Sequence, residues 1–466
     1  MDEINSVYRS PFSWRYGSTQ MRQIWSEYHK RLLWRKLWVI LAETQAEFGL
    51  VNDVQVQDLK DHAHQVDIQR ALEIESEIHH DLMAEIKVFA EQCPVGGGII
   101  HLGATSMDIK DNADALRVHQ ALLVIEKSLR NLLMILQERV EAFAGLPIIA
   151  FTHLQPAEPT TLGYRLAQYA QDLLEDYQDL QRIIRDLCIK GFRGAVGNSA
   201  AFQDLIGEDR LEEFHKRLTE KLGLPIFDVV TQVYPRKQDY RVASVLAGIG
   251  ASLHRLALDW RILQSMPIGE WSEPFDEKQV GSSAMPFKRN PINAEKIDSL
   301  AKMLAQYPRL AWDNAANSIM ENTLDDSANR RTMLPEMFLI CDELLITSQR
   351  LLKGLIIYQE VIQKNLHQYA PFAATERVMV AAAKSGLDRQ LIHEELRQLS
   401  MQAWQEVKNG KSNPLQNLLL QDELIRSVLS EGEIRRLMDI EKYVGDAALR
   451  AHKLSERIRQ ICQEGK

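Results

Sequence analysis

Three stretches of this chain concentrate residue types that can move protons or hold anions, and each lies where helical periodicity breaks. The run Gly281-Ser282-Ser283-Ala284-Met285-Pro286-Phe287-Lys288-Arg289-Asn290-Pro291, followed by Glu295, sets flexible, hydroxyl, cationic and amide groups in one loop leading into a helix. Thr152-His153-Leu154-Gln155-Pro156-Ala157-Glu158-Pro159-Thr160-Thr161 holds a histidine, a side chain that titrates near neutrality and can donate a proton and be reloaded. His101-Leu102-Gly103-Ala104-Thr105-Ser106, continuing to Asp111-Asn112, puts hydroxyls beside a helix start, where anions find donors. Thr105 with Asp108 also fits a capping box, and one residue can do both jobs.

Groups of this kind need rigid supports, and long helices supply them. Leu122, Ile125, Leu129, Leu132 and Leu136 alternate by three and four, which makes one continuous apolar stripe. Leu162, Leu166, Tyr169, Leu173, Tyr177, Leu180, Ile184 and Leu187 form a second stripe, and Val242, Val245, Ile249, Leu253, Leu256, Trp260 and Leu263 a third. The spacing predicts an all-α protein built on helix-on-helix packing. Stripes this wide exceed what one antiparallel partner covers, so a bundle completed by subunit association is expected, with a self-contained monomeric bundle as the alternative. Residues 93–106, 150–161 and 269–291 read as irregular connections that carry function. Soft boundaries near Thr105 and Tyr358 give an N-terminal helical domain over 1–105, a central long-helix domain over 106–357 and a C-terminal helical domain over 358–466.

Composition narrows the classes. The 466 residues provide ample core, and 55 basic against 64 acidic residues leave a net charge of −9 without a long basic run. Nucleic-acid and membrane-surface partners are therefore not expected, and an anionic ligand must be met by local charge. Cys93, Cys188, Cys341 and Cys462 are far apart, and neither His79-His80 nor His62-x-His64 is completed by a cysteine or carboxylate cluster, so disulfides and metal sites are not expected. Gly96-Gly97-Gly98 lacks the Gly-Lys-Ser/Thr of a phosphate loop and reads as a turn. The opening MDEINSVYRS has no secretory pattern, and apolar stretches such as 37–42 fall short of the roughly 20 residues that a bilayer span needs, so a cytoplasmic location with no membrane span is the expectation.

The run from Gly281 to Pro291 resembles, without interruption, the GSSxMPxKxNP signature of the fumarase/aspartase superfamily. That resemblance implies a three-domain all-α fold whose long central helices assemble into a homotetramer, with sites drawn from several subunits. It also implies roles: Ser282 as general base, with Lys288 and Asn290 stabilising the charge that develops on the substrate carboxylate. A fixed ammonium and amide suit an aci-carboxylate because they need no reorganisation as it forms. The histidine stretch is similar to the superfamily's T-H-x-Q-P-A-Q-P-T-T run, which implies His153 as general acid, oriented by Glu295. The third stretch resembles G-A-T-S-x-x-x-x-D-N, implying that Thr105 and Ser106 bind substrate carboxylates.

Further segments resemble one branch of that superfamily, the adenylosuccinate lyases. Trp14-Arg15-Tyr16-Gly17-Ser18 is similar to S-R-Y-x-S, which implies that Arg15 and Tyr16 meet a nucleotide phosphate. His79-His80-Asp81 is similar to R-H-D, which brings in His80 as a second candidate for proton transfer and Asp81 as a substrate contact. Gln232 matches a substrate-binding glutamine, and the stretch through Ser327 and Arg331 a phosphate-binding one. Gly386-Leu387-Asp388-Arg389-Gln390 is close to G-x-x-R-Q, and the likeness weakens after about Ser400. What it implies is cofactor-free β-elimination of fumarate from a small N-succinyl nucleotide, namely adenylosuccinate, and also the succinylated carboxamide ribonucleotide of purine synthesis.

The chain departs from that branch where substrate is recognised. Asn322 and His79 stand at positions usually held by arginine, Lys296 replaces another arginine, and a glycine-rich turn reads Gly197-Asn198-Ser199-Ala200-Ala201. Neither asparagine nor histidine offers arginine's fork of donors, so a lyase of the same mechanism acting on another N-succinyl compound is the alternative. The cations left for a phosphate are Arg15, Arg331 and Lys296. A catalytically silent structural relative is disfavoured by the intact His153, Ser282 and Lys288.

Overall fold

The computed structural model describes residues 6–464, and their regular structure is overwhelmingly α-helical, the class expected from the stripes. Helices Ser106–Ala142, Leu162–Arg185, Lys237–Gln264 and Ser327–Lys353 are the long supports. Burial explains why they hold together: Leu122, Ile125, Leu129, Leu132 and Leu136 are all fully buried, as are Leu166, Leu173, Tyr177 and Leu180. Burying one such side chain contributes about 1.5–3 kcal/mol.

The chain forms two compact units, each assembled from three segments. The first comprises residues 1–129, 176–251 and 299–346. Within it Glu85, fully buried on helix Asp81–Gln92, takes hydrogen bonds from Arg31 at 2.8 Å and Arg35 at 2.7 Å, both on helix Glu27–Glu47. One turn separates Glu85 from Asp81, so the clamp also fixes where Asp81 stands.

The second unit comprises 130–175, 252–298 and 347–466. Here the sequence reading needs correction, because residues 150–161 do not form an irregular connection. Strands Pro147–Thr152 and Gln155–Thr161 pair as an antiparallel hairpin, with a bulge between Ile149 and Phe151. Pro156 and Pro159 are tolerated because the sheet has two strands only, so their missing N–H groups need not serve a further partner. Ile149 belongs to the core formed with helices Gln359–Lys384 and Arg389–Lys408. Arg165 locks the hairpin's root, donating to the Ile149 carbonyl and to Glu270, each at 2.7 Å.

Helix Lys237–Gln264 is long and apolar enough to cross a bilayer by composition alone. Its surroundings are those of a core helix instead. Val242, Leu246, Ile249, Leu253, Leu256 and Trp260 are buried against protein, while Arg241, Arg255 and Arg261 pair with Asp186, Asp172 and Asp298.

Candidate active site

His153 and Leu154 are the two residues between the hairpin strands, and both have positive φ, 54° and 59°. Positive φ at both positions of a two-residue loop is the signature of a type I′ turn, which normally selects Asn-Gly. Neither histidine nor leucine favours this conformation, so the backbone is strained to present an exposed imidazole at the tip.

The signature loop lies in the same unit. Ser282 Oγ accepts the backbone N–H groups of Met285 at 3.0 Å and Ala284 at 3.3 Å. Two amide dipoles converging on one hydroxyl oxygen lower the cost of negative charge there, which is the polarisation a serine needs in order to take a proton. The loop closes on itself: Asn290 Nδ2 donates to the Gly281 carbonyl at 3.1 Å, and Lys288 N–H to the Met285 carbonyl at 3.0 Å. Lys288 is exposed and Asn290 half-buried. A Cβ at Gly281 would come within 2.1 Å of the Lys288 carbonyl oxygen, so no larger residue closes this loop. Gly281→Ala is accordingly expected to lower kcat/KM by about 10²-fold, the usual cost of misplacing reacting groups by an ångström, while thermal denaturation stays near wild type. Near-native kcat/KM would refute that dependence on loop closure.

Beyond the loop, helix Ile292–Leu304 carries Glu295, exposed in its first turn, and Lys296, partly buried. Sequence reasoning missed what holds this helix. Glu273 accepts from Ala294 N–H at 2.7 Å and from the backbone and side-chain nitrogens of Asn293 at 3.2 and 2.8 Å. Burial nevertheless holds its carboxyl above the usual range. No short motif could reveal this contact across 20 residues of chain.

The remaining candidates lie in the first unit. A cavity of about 270 Å³ brings Asp81, Asn322, Ser327 and Arg331 together with Lys110. Asp81 takes a hydrogen bond from Lys110 Nζ at 2.7 Å and an ion pair from Arg331 at 3.5 Å. Burial pushes its carboxyl up, but the Lys110 ammonium, then the Leu82 N–H and Arg331 outweigh this and hold it below the usual range. His80 caps helix Asp81–Gln92 by accepting Met83 N–H on Nδ1 at 3.2 Å, which leaves Nε2 as the ring's other nitrogen for a ligand. His79 closes the preceding helix with a left-handed φ of 54°, a role no arginine fork is needed for. Asn322 Nδ2 donates to Gln232 Oε1 at 2.5 Å, and Gln232 N–H to the Glu321 carbonyl at 3.2 Å. The departure at Asn322 therefore reaches the glutamine expected to bind substrate.

Among the described residues, the cavity does not include Arg15, Tyr16, His80, Thr105, Ser106 or Gln232. Arg15 lies over the Trp14 and Tyr16 rings at 5.7 and 5.9 Å. Ser106 begins the Ser106–Ala142 helix, and Thr105 N–H is bonded at 2.9 Å to Asp108, the carboxylate half of the capping box that the sequence suggests. Asp108 is fully buried and also pairs with Lys190. Asp58, His62 and Cys93 offer ligand atoms within 4.8 Å of one another. The Asp58 carboxylate is occupied by the N–H groups of Val95 and Gly96, and burial pushes the Cys93 thiol up to about 12, so this cluster fastens a turn.

A family described as "Lyase" matches residues 18–304, and one described as "Adenylosuccinate lyase C-terminus" matches 371–453. The chain is 40% identical to the adenylosuccinate lyase of Schistosoma mansoni, covering 91% of this chain and 89% of that one. It is 36% identical to the Saccharomyces cerevisiae enzyme of the same name over 97% and 94% of the two chains, and 35% identical to that of Pyrococcus abyssi over 94% and 95%. In fold it is similar to a 3-carboxy-cis,cis-muconate lactonizing enzyme from Pseudomonas putida, with a TM-score of 0.86, 24% identity and coverage of 97% and 100%. A fumarate lyase from Mesorhizobium sp. BNC1 superposes with a TM-score of 0.83 at 21% identity, covering 97% and 99%. On this evidence the chain belongs to the adenylosuccinate lyases, C–N lyases of the fumarase/aspartase superfamily.

Proposed function

We propose that the chain cleaves adenylosuccinate into AMP and fumarate by acid–base β-elimination, and that it opens the succinylated carboxamide ribonucleotide of purine synthesis in the same way. Ser282 removes the proton beside the succinyl carboxylate, and Lys288 with Asn290 stabilises the charge that builds there. The C–N bond breaks, its electron pair passes to the departing nitrogen, and His153 supplies that nitrogen with a proton. Thr105 and Ser106 hold carboxylate, while Arg15, Tyr16, Ser327 and Arg331 hold phosphate, with Gln232, Asp81 and Lys296 completing recognition. The observation that carries this reading is the pair of backbone N–H groups on Ser282 Oγ. The decisive assay offers both succinylated nucleotides to purified protein and follows fumarate; release from neither would overturn the reading.

We further propose that the chain works as a homotetramer in the cytoplasm. Leu123, Tyr164, Leu258 and Ile346, one on each long helix, are 40 to 44% exposed, apolar surface that sister chains would bury. Analytical ultracentrifugation tests the assembly, and a stable active monomer at micromolar concentration would defeat it. Cell fractionation followed by the fumarate assay tests the location.

A further inference from the structure

A lysine on a helix normally reads as solvated surface, and Lys110 departs from that pattern. It is 24% exposed, stands one turn beyond Ser106 and lines the cavity shared by Asn322, Ser327 and Arg331. The other cations of that cavity are committed. Arg236 and Arg330 are buried in pairs with Asp111, Asp326 and Asp239, Arg117 is buried against Asp114, and Lys30 pairs with Glu27 at 2.6 Å. Lys110 and Arg331 instead share one carboxylate, Asp81, so two positive charges are balanced by one negative. The imbalance faces the space where the family's arginine charge is missing at Asn322.

We propose that Lys110 is a substrate-binding residue whose ammonium meets the nucleotide's phosphate beside Arg331, replacing the cation absent at Asn322. This rests on the reading of the Ser327–Arg331 stretch as the phosphate site. Asp81 holds the two cations as a pair, so the dianion meets a preformed clamp. A lysine here serves as a point charge and demands less alignment than the lost arginine.

The test is calorimetric titration of the tetramer with AMP and with adenosine, alongside KM for adenylosuccinate. Lys110→Ala should weaken AMP binding and raise KM by about 10- to 100-fold, the usual loss for a hydrogen bond to a charged group, and leave adenosine affinity near wild type. Lys110→Arg should retain AMP binding. In the double variant Lys110→Ala/Asn322→Arg, AMP affinity should recover, since a cation re-enters the same cavity; a lysine that merely neutralised Asp81 would not be rescued so. Unchanged AMP binding in Lys110→Ala, or equal losses for AMP and adenosine, would overturn the proposal. Should Lys110→Ala fail to fold, a Lys110→Gln variant that binds AMP as wild type does would overturn it equally. Failure of the underlying function reading looks different: the unsubstituted protein would then release no fumarate.

Discussion

Ser282→Ala should leave the helical fold intact and lower turnover of adenylosuccinate by about 10²–10⁴-fold, the span typical of a positioned proton-transfer group. The hydroxyl has no partner in the hydrophobic core. It accepts the two local N–H groups of Ala284 and Met285, which water can satisfy once Oγ is gone. For the acid, His153→Asn is the better probe than alanine, because asparagine tolerates the left-handed φ that the turn imposes. It should reduce turnover by a similar factor with the melting temperature unchanged. Binding of AMP should survive in both variants, since neither removes a group assigned to phosphate. Near-native turnover in either would strip that residue of its role, and His80, with Nδ1 already committed to Met83, would become the next acid to test.

A second large effect is expected in stability. Arg330 is buried, with Nε 2.8 Å from Asp239 and Nη2 2.7 Å from the Tyr234 hydroxyl, while Arg236 binds Asp326 at 2.5 Å and Asp111 at 3.0 Å. Burial opposes the charge of Arg330, but Asp239 and the neighbouring acids more than restore it. Arg330→Met leaves Asp239 buried without its cation and takes one from Asp114, while Arg236 still pairs with Asp111 and Asp326; the loss costs about 3–5 kcal/mol. Urea denaturation should show this, and a loss under about 1 kcal/mol would mean that the acids are neutral or hydrated instead. The same variant should also raise KM, because Arg330 adjoins Arg331 and its network ties helix Ser327–Lys353 to the strand of chain that carries Gln232.

How much of this was legible in the sequence depended on the range of the interaction. Helical stripes are local, and they were read nearly residue by residue. The exceptions are one position each: Ile183 rather than Ile184 is buried, and Leu246 is more buried than Val245, because a regular three-and-four count drifts against the true face. The residues of the Gly281–Pro291 run were legible because they are consecutive. The hairpin was not, since prolines at 156 and 159 argue against strands, and a turn without glycine or asparagine hides its type. Lys110 and Glu273 were invisible for another reason: each acts through a partner 20 or more residues away, Asp81 and Asn293 respectively.

The left-handed pair at the hairpin tip also sets the terms on which this chain could be engineered. Each such non-glycine residue costs about 1–3 kcal/mol, and Asn-Gly would satisfy the same turn without that strain. A screen that ranks variants by melting temperature alone will reward replacing His153-Leu154, and will discard the imidazole in doing so. The recoverable part lies at Leu154, 68% exposed, where glycine relaxes the backbone and leaves the histidine standing. Thermostabilisation of this lyase should therefore treat the two neighbours as separate cases: one open to change, the other kept strained.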